Sequence, residues 1–334
     1  MSACFHMAVT DRSQVAEARR RASSLARASG LDATEVGKVA IVVTEMVSNL
    51  VKHARDGELL VRALGHRSPG GVEAVAIDRG PGMADVSRPL RDGYSTAGTA
   101  GTGLGAIARL ATAYDVYSVP GQGTALLARI AEKAPTATTT ALETGVAWAP
   151  KTGEEVCGDG WAVREWPDHL FVLVVDGLGH GPEAAAAATV ASDAFQAAGA
   201  EGPAATLAAV HDALRPTRGA AVGIADVRPR EHVVRFAGLG NIAGGVYAPT
   251  GTRSFVSMNG IAGHVAPKLQ EFSYPWADGA ALILHSDGLE SRWSLAPYPG
   301  LLARHPSVAA AVLCRDFRRR RDDVTVLVAR GALA

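Results

Sequence analysis

Acidic residues stand at the ends of apolar segments throughout the second half of the chain. Each of them closes an apolar run, precedes one, or follows a glycine at a turn: Asp159, Asp176, Asp287 and Asp322. A single Asp-Gly pair is usually a turn. Acids repeated in this way around several buried strands predict instead that the carboxylates meet on one rim of a folded unit. The backbone carbonyl of Gly177, which follows the second acid, is expected to be accessible on the same rim.

The chain is long enough for two domains, and its composition changes between them. It has 334 residues, and all five tryptophans lie at or after Trp148. A small, polar and aperiodic stretch over residues 134–141 has the composition of a linker. We therefore predict a first domain at 1–133, a linker at 134–142 and a second domain at 143–334.

The overall charge gives no electrostatic reason to expect binding to nucleic acid or to an anionic membrane. The chain carries 33 basic and 33 acidic residues. The arginine-rich run from Arg315 to Arg321 is interpreted as a solvated face or a docking patch at a helix end.

Three scattered cysteines indicate neither a disulfide framework nor a zinc site. With no apolar run near the ~20 residues that span a bilayer, the sequence favours a soluble, cytoplasmic protein.

Apolar periodicity predicts two helices followed by a mostly antiparallel sheet in the first domain. The apolar residues of the second helix, from Val36 to Leu50, recur at helical spacing and share one face. This order, with one further helix inserted in the sheet, predicts an α/β sandwich. The predicted helices cover 13–29, 32 or 34 to 54, and 104–113, and the predicted strands cover 58–64, 72–78, 115–119 and 124–130.

Many short strands and a few long helices predict a β-sandwich flanked by helices in the second domain, and an α+β chain overall. The helix at 182–196 begins with a proline, which suits the first turn of a helix. The other helices are predicted at 203–214 and 306–317. The strands are predicted at 145–149, 160–166, 170–176, 220–227, 232–238, 244–248, 253–256, 280–285 and 324–329.

Two polar residues on the second helix are candidates for nucleotide chemistry. Glu45 and Asn49 are four positions apart, so they lie one turn apart on one face, opposite the apolar stripe. An amide oxygen suits Mg²⁺, and a carboxylate can accept a proton from an attacking hydroxyl or water. On their own these two residues are better explained as a solvent-facing polar side of the helix.

Three glycine-containing segments downstream favour the nucleotide interpretation. Asp78, at a strand end, precedes Gly80 and Gly82; a carboxylate there can accept a hydrogen bond from an adenine amino group, and glycines let the backbone approach the ligand. A second cluster leads directly into a helix, whose free N–H groups bind phosphate. A hairpin glycine pair followed by Thr124 completes the set. The second cluster consists of Gly101, Thr102, Gly103, Leu104 and Gly105.

This order of motifs resembles the GHKL (Bergerat-fold) ATPases over residues 10–131. The helix carrying Glu45 and Asn49 resembles the N box of that family, and the segment from Asp78 to Gly82 resembles its first glycine box. The short lid before Gly101 is closer to the anti-sigma-factor serine kinases of the RsbT and RsbW type. The resemblance implies ATP and Mg²⁺ as cofactors, with Lys52 and His53 continuing the nucleotide-binding helix; for Lys52, phosphate binding and an ordinary surface position both remain open.

The acids of the second half resemble the metal ligands of the metal-dependent (PPM, type 2C) protein phosphatases, in their SpoIIE-like and RsbX-like branch, over residues 143–331. Paired Mg²⁺ or Mn²⁺ ions need several carboxylates in one cleft, where they activate water and neutralise phosphoryl charge. The resemblance implies two such ions, held by Asp159, Asp176, Gly177, Asp287 and Asp322. His180 is a candidate general acid or an ordinary surface residue. No phosphate-binding arginine is identifiable from the sequence.

Together the two resemblances imply a bifunctional regulator of a partner-switching cascade. Its first domain would phosphorylate Ser or Thr of a STAS-domain protein, and its second domain would hydrolyse the phosphoester. The implied partners are STAS proteins of the RsbS or RsbR type or an anti-anti-sigma factor, with a downstream phosphatase or sigma factor as further candidates. Two alternatives stay open for the first domain. It could be a nucleotide-gated binding module, with the phosphatase as the only catalytic activity of the chain, or it could be an ATPase that has no protein acceptor.

Overall fold

The computed structural model describes residues 3–64, 70–86, 103–131, 142–199 and 201–331. Contacts divide the chain into two compact units, one ending at Pro135 and one beginning at Thr136. The linker prediction falls almost wholly on residues 132–141, which lie outside the described residues. None of the helices that the structure describes is long and apolar enough to cross a membrane.

The N-terminal unit is a five-stranded antiparallel sheet with helices packed on one face. The strand order is β1-β2-β3-β5-β4. Apolar residues of α1, α2 and the inner sheet face form its core. The elements are β1 (Cys4–Val9), α1 (Ser13–Ala28), α2 (Ala33–His53), β2 (Gly57–Leu64), β3 (Gly71–Ile77), α3 (Gly103–Leu110), β4 (Ala113–Val119) and β5 (Gly123–Ala131).

Helix α2 positions the candidate nucleotide residues, and its sequence explains its bounds. The side chain of Asp32 caps the helix by accepting a hydrogen bond from the backbone N–H of Glu35 at 2.8 Å. The predicted apolar stripe is buried, together with Val42. Burial of this stripe against the sheet leaves Glu45 and Asn49 on the other side of the helix.

The C-terminal unit is a sandwich of two five-stranded sheets. The first has the order β13-β10-β9-β8-β7 and the second β12-β11-β14-β15-β6. Its strands are β6 (Leu142–Ala149), β7 (Asp159–Glu165), β8 (Leu170–Gly177), β9 (Ala220–Arg228), β10 (Val233–Leu239), β11 (Ala243–Ala248), β12 (Gly251–Ser254), β13 (Phe272–Pro275), β14 (Ala281–His285) and β15 (Val324–Gly331), and its helices are α4 (Pro182–Ala197), α5 (Pro203–Leu214) and α6 (Pro306–Phe317).

Helices cover the outer faces of both sheets. Side chains of α4 and α5 share a core with the first sheet, and α6 packs on β6 and β15. The sheets meet face to face, with the rings of Trp148 on β6 and Trp161 on β7 only 4.7 Å apart. The predicted fold class, an α/β sandwich followed by a helix-flanked β-sandwich, is confirmed.

Several element predictions were wrong in detail. Strands β1 and β13 were not predicted: β1 is a six-residue strand at the sheet edge, and β13 is a four-residue strand that pairs with β10. Helix α3 ends at Leu110 rather than at 113, because Thr112 already donates its N–H to Arg129 at 2.7 Å. Strand β12 lies at Gly251–Ser254 rather than at 253–256, since it pairs with β11 in a hairpin.

Candidate active sites

The acids of the C-terminal unit come together at one end of the sandwich. Asp159 and Asp176 face each other across the β7–β8 pair. Asp287 lies just after β14, and Asp322 lies just before β15. The ends of four strands, two from each sheet, therefore deliver these acids to one end of the unit.

Ser286 connects the two sheets at this end. The Ser286 hydroxyl donates to Oδ2 of Asp159 at 2.6 Å, and Oγ of Ser286 accepts from the N–H of Thr325 at 3.0 Å. Asp159 is 1% exposed, and its other oxygen, Oδ1, has no hydrogen-bond partner. A buried carboxylate oxygen without a partner is costly unless a cation or a proton neutralises it.

Asp176, Asp287 and Asp322 line a cleft of about 370 Å³, which we call the acidic cleft. Asn241 stands on its wall and donates from Nδ2 to Oδ2 of Asp287 at 2.8 Å. The remaining lining residues are Lys151, Leu178, Gly179, His180, Ala221 and Arg321. Asp159 and Gly177 are both buried and are not among the lining residues.

Burial and mutual repulsion raise the pKa of the clustered carboxyls. Burial raises the pKa of Asp176 to about 8, with the neighbouring Asp287 and Asp322 adding to the rise. The pKa of Asp159 is raised well above its usual value by burial and by Asp176. The pKa of Asp287 is also raised, by burial and by Asp322, against an opposing effect of Arg319. Such a cluster disfavours its own ionisation unless positive charge is brought to it.

The carboxylate and carbonyl oxygens at this end of the sandwich are of the chemical type that binds divalent cations. Mg²⁺ and Mn²⁺ prefer carboxylate and carbonyl oxygens, and the unpartnered Oδ1 of Asp159 together with the repelling acids calls for positive charge. As the side chains stand, no group of three or more His, Cys, Asp or Glu in the described part of the chain is arranged to hold a metal ion. The predicted ligands thus share one end of the sandwich without forming a coordination sphere.

Sequence reasoning missed three polar residues at this site. Asn241, Lys151 and Arg321 line the acidic cleft beside the predicted acids. Asn241 lies just after β10, and Lys151 lies in a loop that carries no motif. Arg321 ends the arginine-rich run, for which the sequence indicates a solvated face or a docking patch rather than a role at this site. His180 lines the cleft as well, and its Nδ1 lies 2.6 Å from Oε1 of Glu154.

Asp323, the neighbour of Asp322, supports the site from inside. It is 3% exposed and accepts from the backbone N–H of Lys151 at 2.8 Å through Oδ1. A Cβ added at Gly288 would collide with the backbone of Asp323. The glycine after Asp287 is thus needed for close packing of the loop after β14 on the segment before β15.

In the N-terminal unit, Glu45 and Asn49 lie against the first residue of α3. A Cβ added at Gly103 would stand 3.1 Å from Oε2 of Glu45 and 3.5 Å from Oδ1 of Asn49. Both side chains are half-buried. The polar side of α2 is therefore covered by the start of α3 instead of facing open solvent.

The first glycine motif packs against the β4–β5 turn. Asp78 accepts from the N–H of Gly80 at 2.6 Å and donates its own N–H to the carbonyl of Thr124. A Cβ at Gly82 would collide with the carbonyl of Val119, and one at Gly123 with the carbonyl of Asp78. Gly82 and Gly123 have φ of +67° and +83°, so backbone crowding and left-handed conformation both require glycine there.

The remaining predicted nucleotide residues are placed as follows. Lys52 and His53, in the last turn of α2, are exposed. Leu104 packs partly against the core and Gly105 is buried. The hydroxyl of Thr124 lies 2.9 Å from that of Ser118. Gly101, Thr102 and most of the predicted lid lie outside the described residues.

Comparison with known proteins identifies both units. Residues 8–130 match the family described as histidine kinase-like ATPase domain, and residues 167–331 match stage II sporulation protein E (SpoIIE). The chain therefore combines a histidine kinase-like ATPase domain with a SpoIIE domain.

Three individual proteins are similar to parts of this chain. The serine/threonine-protein kinase RsbT of Bacillus subtilis (strain 168) is 28% identical over 114 residues, which are 34% of this chain and 86% of RsbT. A solved structure described as "The bacterial stressosome: a modular system that has been adapted to control secondary messenger signaling" is 32% identical, with a TM-score of 0.52, over 57% of this chain and 99% of that one. The structure of RsbX in complex with magnesium is 19% identical, with a TM-score of 0.49, over 60% of this chain and 98% of RsbX.

Proposed function

We propose that this chain both adds and removes a phosphate on the Ser or Thr of a STAS-domain protein. The observation that carries the proposal is the convergence of Asp159, Asp176, Asp287 and Asp322 on one end of the sandwich, in a chain that also carries a kinase-like ATPase domain. The functional domains are 1–133 and 143–334, joined by 134–142. Both act in the cytoplasm.

The C-terminal domain acts as a metal-dependent phosphatase. Asp159, Asp176, Asp287, Asp322 and the carbonyl of Gly177 hold two Mn²⁺ or Mg²⁺ ions, which supply charge neutralisation and a lowered pKa for water. Ser286 orients Asp159 through the 2.6 Å hydrogen bond, and Asn241 does the same for Asp287 at 2.8 Å. The phosphoester enters the acidic cleft, which Asp176, Asp287 and Asp322 line.

The N-terminal domain acts as a serine/threonine kinase. Glu45 accepts the proton of the acceptor hydroxyl, and Asn49 holds the Mg²⁺ that accompanies ATP. Asp78 binds the adenine amino group, and the glycines at 80, 82, 101, 103 and 105 let the backbone approach the nucleotide. Lys52, His53, Thr102 and Thr124 contribute to phosphate binding. RsbT, 28% identical over 114 residues, is a serine/threonine-protein kinase, which supports this assignment.

The proposed partner is a STAS-domain protein. A stressosome structure 32% identical to this chain supports an RsbS-like or RsbR-like STAS protein, or an anti-anti-sigma factor, as the substrate, with a phosphatase or sigma factor acting downstream. Because both activities at once would consume ATP without net effect, we expect an input signal to favour one of them.

Each activity can be tested alone. Incubation of the full chain with labelled ATP, Mg²⁺ and purified STAS proteins should transfer label to one of them, and Mn²⁺ with the phosphorylated STAS protein should release phosphate. Absence of transfer with retained ATP binding would make the first domain a nucleotide-gated binding module. ATP hydrolysis without any acceptor would make it a simple ATPase, and absence of phosphate release would remove the phosphatase.

A further inference from the structure

A second cleft adjoins the acidic cleft and has the opposite charge. It measures about 410 Å³ and is lined by Glu290, Ser291, Arg292, Arg319 and Arg321; we call it the basic cleft. Arg321 lines both clefts. The two spaces are therefore neighbours with one shared residue on their walls.

Backbone hydrogen bonds hold the two segments of the basic cleft together. The N–H of Arg319 donates to the carbonyl of Gly288 at 2.6 Å, and the N–H of Glu290 donates to the carbonyl of Phe317 at 2.9 Å. Leu289 and Arg318 also form an antiparallel bridge. The backbone at Arg319 is thus held against the loop that follows Asp287.

The arginine-rich run contains one buried arginine that is paired within the protein and two others that line the basic cleft. Arg315 is 3% exposed and forms an ion pair with Asp316 at 2.6 Å, which also accepts from the hydroxyl of Tyr298 at 2.9 Å. Arg319 is half-buried and Arg321 exposed. Among the described residues, no carboxylate forms an ion pair with Arg292, Arg319 or Arg321.

The charges of the side chains that line the basic cleft favour an anionic ligand. Three guanidinium groups face one carboxylate, that of Glu290, so the basic cleft is net positive. Guanidinium groups bind carboxylates and phosphates through paired, charge-assisted hydrogen bonds, and clusters of arginine recognise phosphorylated or acidic peptide segments. An acidic protein segment fits better than nucleic acid, because the basic cleft shares Arg321 with the acidic cleft and the chain as a whole, with 33 acidic and 33 basic residues, has no excess positive charge to attract a nucleic acid.

We propose that the basic cleft binds acidic residues next to the phosphorylated Ser or Thr of the protein substrate. The proposal rests on the phosphatase function proposed above. Arg292 and Arg319 contact the acidic side chains, while Arg321, between the clefts, contacts the phosphoryl group as it enters the acidic cleft. The SpoIIE domain thereby distinguishes phosphoproteins with acidic flanks from other phosphoesters.

Two phosphoserine peptides of equal length test the proposal, one with Asp and Glu beside the phosphoserine and one with Asn and Gln there. With the full chain and Mn²⁺, kcat/KM is expected to be about tenfold higher for the acidic peptide, the size of one charge-assisted hydrogen bond. Arg292→Gln and Arg319→Gln should reduce this ratio toward one. Arg321→Gln should raise KM for both peptides and for para-nitrophenyl phosphate.

Arg320→Gln is the matched control. Arg320 is exposed, lies between Arg319 and Arg321 in the chain, and lines neither cleft. The acidic preference should survive this change, and it should weaken in the wild type as salt rises from 0.1 M to 1 M, because the Debye length falls from about 10 Å to about 3 Å. A preference that Arg320→Gln removes as strongly as Arg319→Gln would contradict a specific cleft.

A separate binding experiment distinguishes failure of this proposal from failure of the proposed phosphatase function. Fluorescently labelled peptides with the same acidic and neutral flanks, but with serine unmodified, are titrated with the full chain. Selective binding of the acidic peptide, lost in Arg319→Gln, supports the cleft even if no phosphate is released. Equal hydrolysis and equal binding of both peptides by the wild type would overturn it. Tighter binding of a single-stranded oligonucleotide than of the acidic peptide would overturn it as well.

Discussion

The two candidate sites differ in the groups that they offer to a phosphate. In the N-terminal unit, one carboxylate and one amide, Glu45 and Asn49, lie beside glycines whose backbone approaches its neighbours closely. In the C-terminal unit, several carboxylates crowd together, and burial raises the pKa of Asp176 to about 8. The first site depends on backbone shape and the second on charge. Steric changes should therefore damage the first most, and pH or metal removal the second.

The largest effect is expected from Glu45→Ala. Loss of a general base slows proton transfer by roughly 10²–10⁴-fold, so transfer of phosphate from ATP to the STAS protein should fall by that factor. ATP affinity, measured by calorimetry, should change only severalfold, and phosphate release by the other domain should not change. Glu17→Ala is the control, since the side chain of Glu17 on α1 is 47% exposed and forms an i,i+4 pair with Arg21. Transfer at the wild-type rate by Glu45→Ala would exclude Glu45 as the base.

Asp176→Asn should produce the next largest effect, this time in the second unit only. Removing one charge from the cation site should lower kcat for phosphoserine hydrolysis by roughly 10²–10³-fold, the range for loss of a strong electrostatic contact. Label transfer from ATP should persist. Asp278→Asn is the control, since Asp278 is exposed and does not line the acidic cleft. Equal losses in the two variants would show that the site has been misassigned.

Gly123→Ala and Gly121→Ala sharpen the comparison on the side of backbone shape. Both glycines have positive φ, +83° and +78°, which costs other residues about 1–2 kcal/mol. Only at Gly123 would the added Cβ also collide with the carbonyl of Asp78. Gly123→Ala should therefore lower ATP affinity and the protection of β5 from hydrogen exchange more than Gly121→Ala does. Equal effects would mean that the β4–β5 turn shifts to accommodate the added Cβ at no extra cost in free energy.

The smallest effect concerns pH in the metal-free chain. The pKa of Asp176 is about 8 when folded against 3.8 as the ordinary value, so between these values the folded state binds more protons than the unfolded state. Stability must then fall as pH rises through this window. All tryptophans lie at or after Trp148, so their fluorescence reports the C-terminal unit alone.

With EDTA, the melting temperature of that unit should fall by several degrees between pH 6 and pH 8, in line with a small change in unfolding free energy. Mn²⁺ should reverse the loss, and Asp176→Asn should reduce the dependence on pH. A metal-free wild type that becomes more stable over this range, or a variant with the same pH dependence, would contradict the charge account.

Elements with strong local patterns could be predicted from the sequence, whereas those that depend on pairing could not. Helices α5 and α6 were predicted at their observed bounds because each begins with a proline that fixes the first turn. Strand β1 is a short edge strand in which only Phe5, Met7 and Val9 are buried, and β13 owes its extended form to pairing with β10. The alternation of Phe5, Met7 and Val9 is a local strand signal that the sequence prediction missed, whereas the four residues of β13 are too few to be distinguished from a loop by propensity.

The acids of the candidate phosphatase site could be predicted because they end strands, and strand ends are visible in a sequence. Asn241, Lys151 and Arg321 could not, because they reach the acidic cleft through loops whose course depends on tertiary packing. The glycine at 240 has a φ of +93°, which turns the chain toward Asp287 and brings Asn241 to it. A glycine before a polar residue after a buried strand is the one local signal that could have indicated this contact.

The central claim, that one chain adds and removes the same phosphate, is tested most directly by a time course in one vessel. The full chain, ATP, Mg²⁺, Mn²⁺ and a STAS protein are mixed, and the phosphorylated fraction is followed for the wild type and for Asp176→Asn. The account predicts a low steady level with the wild type and near-complete phosphorylation with Asp176→Asn. Identical levels in the two reactions, or no phosphorylation in either, would contradict it.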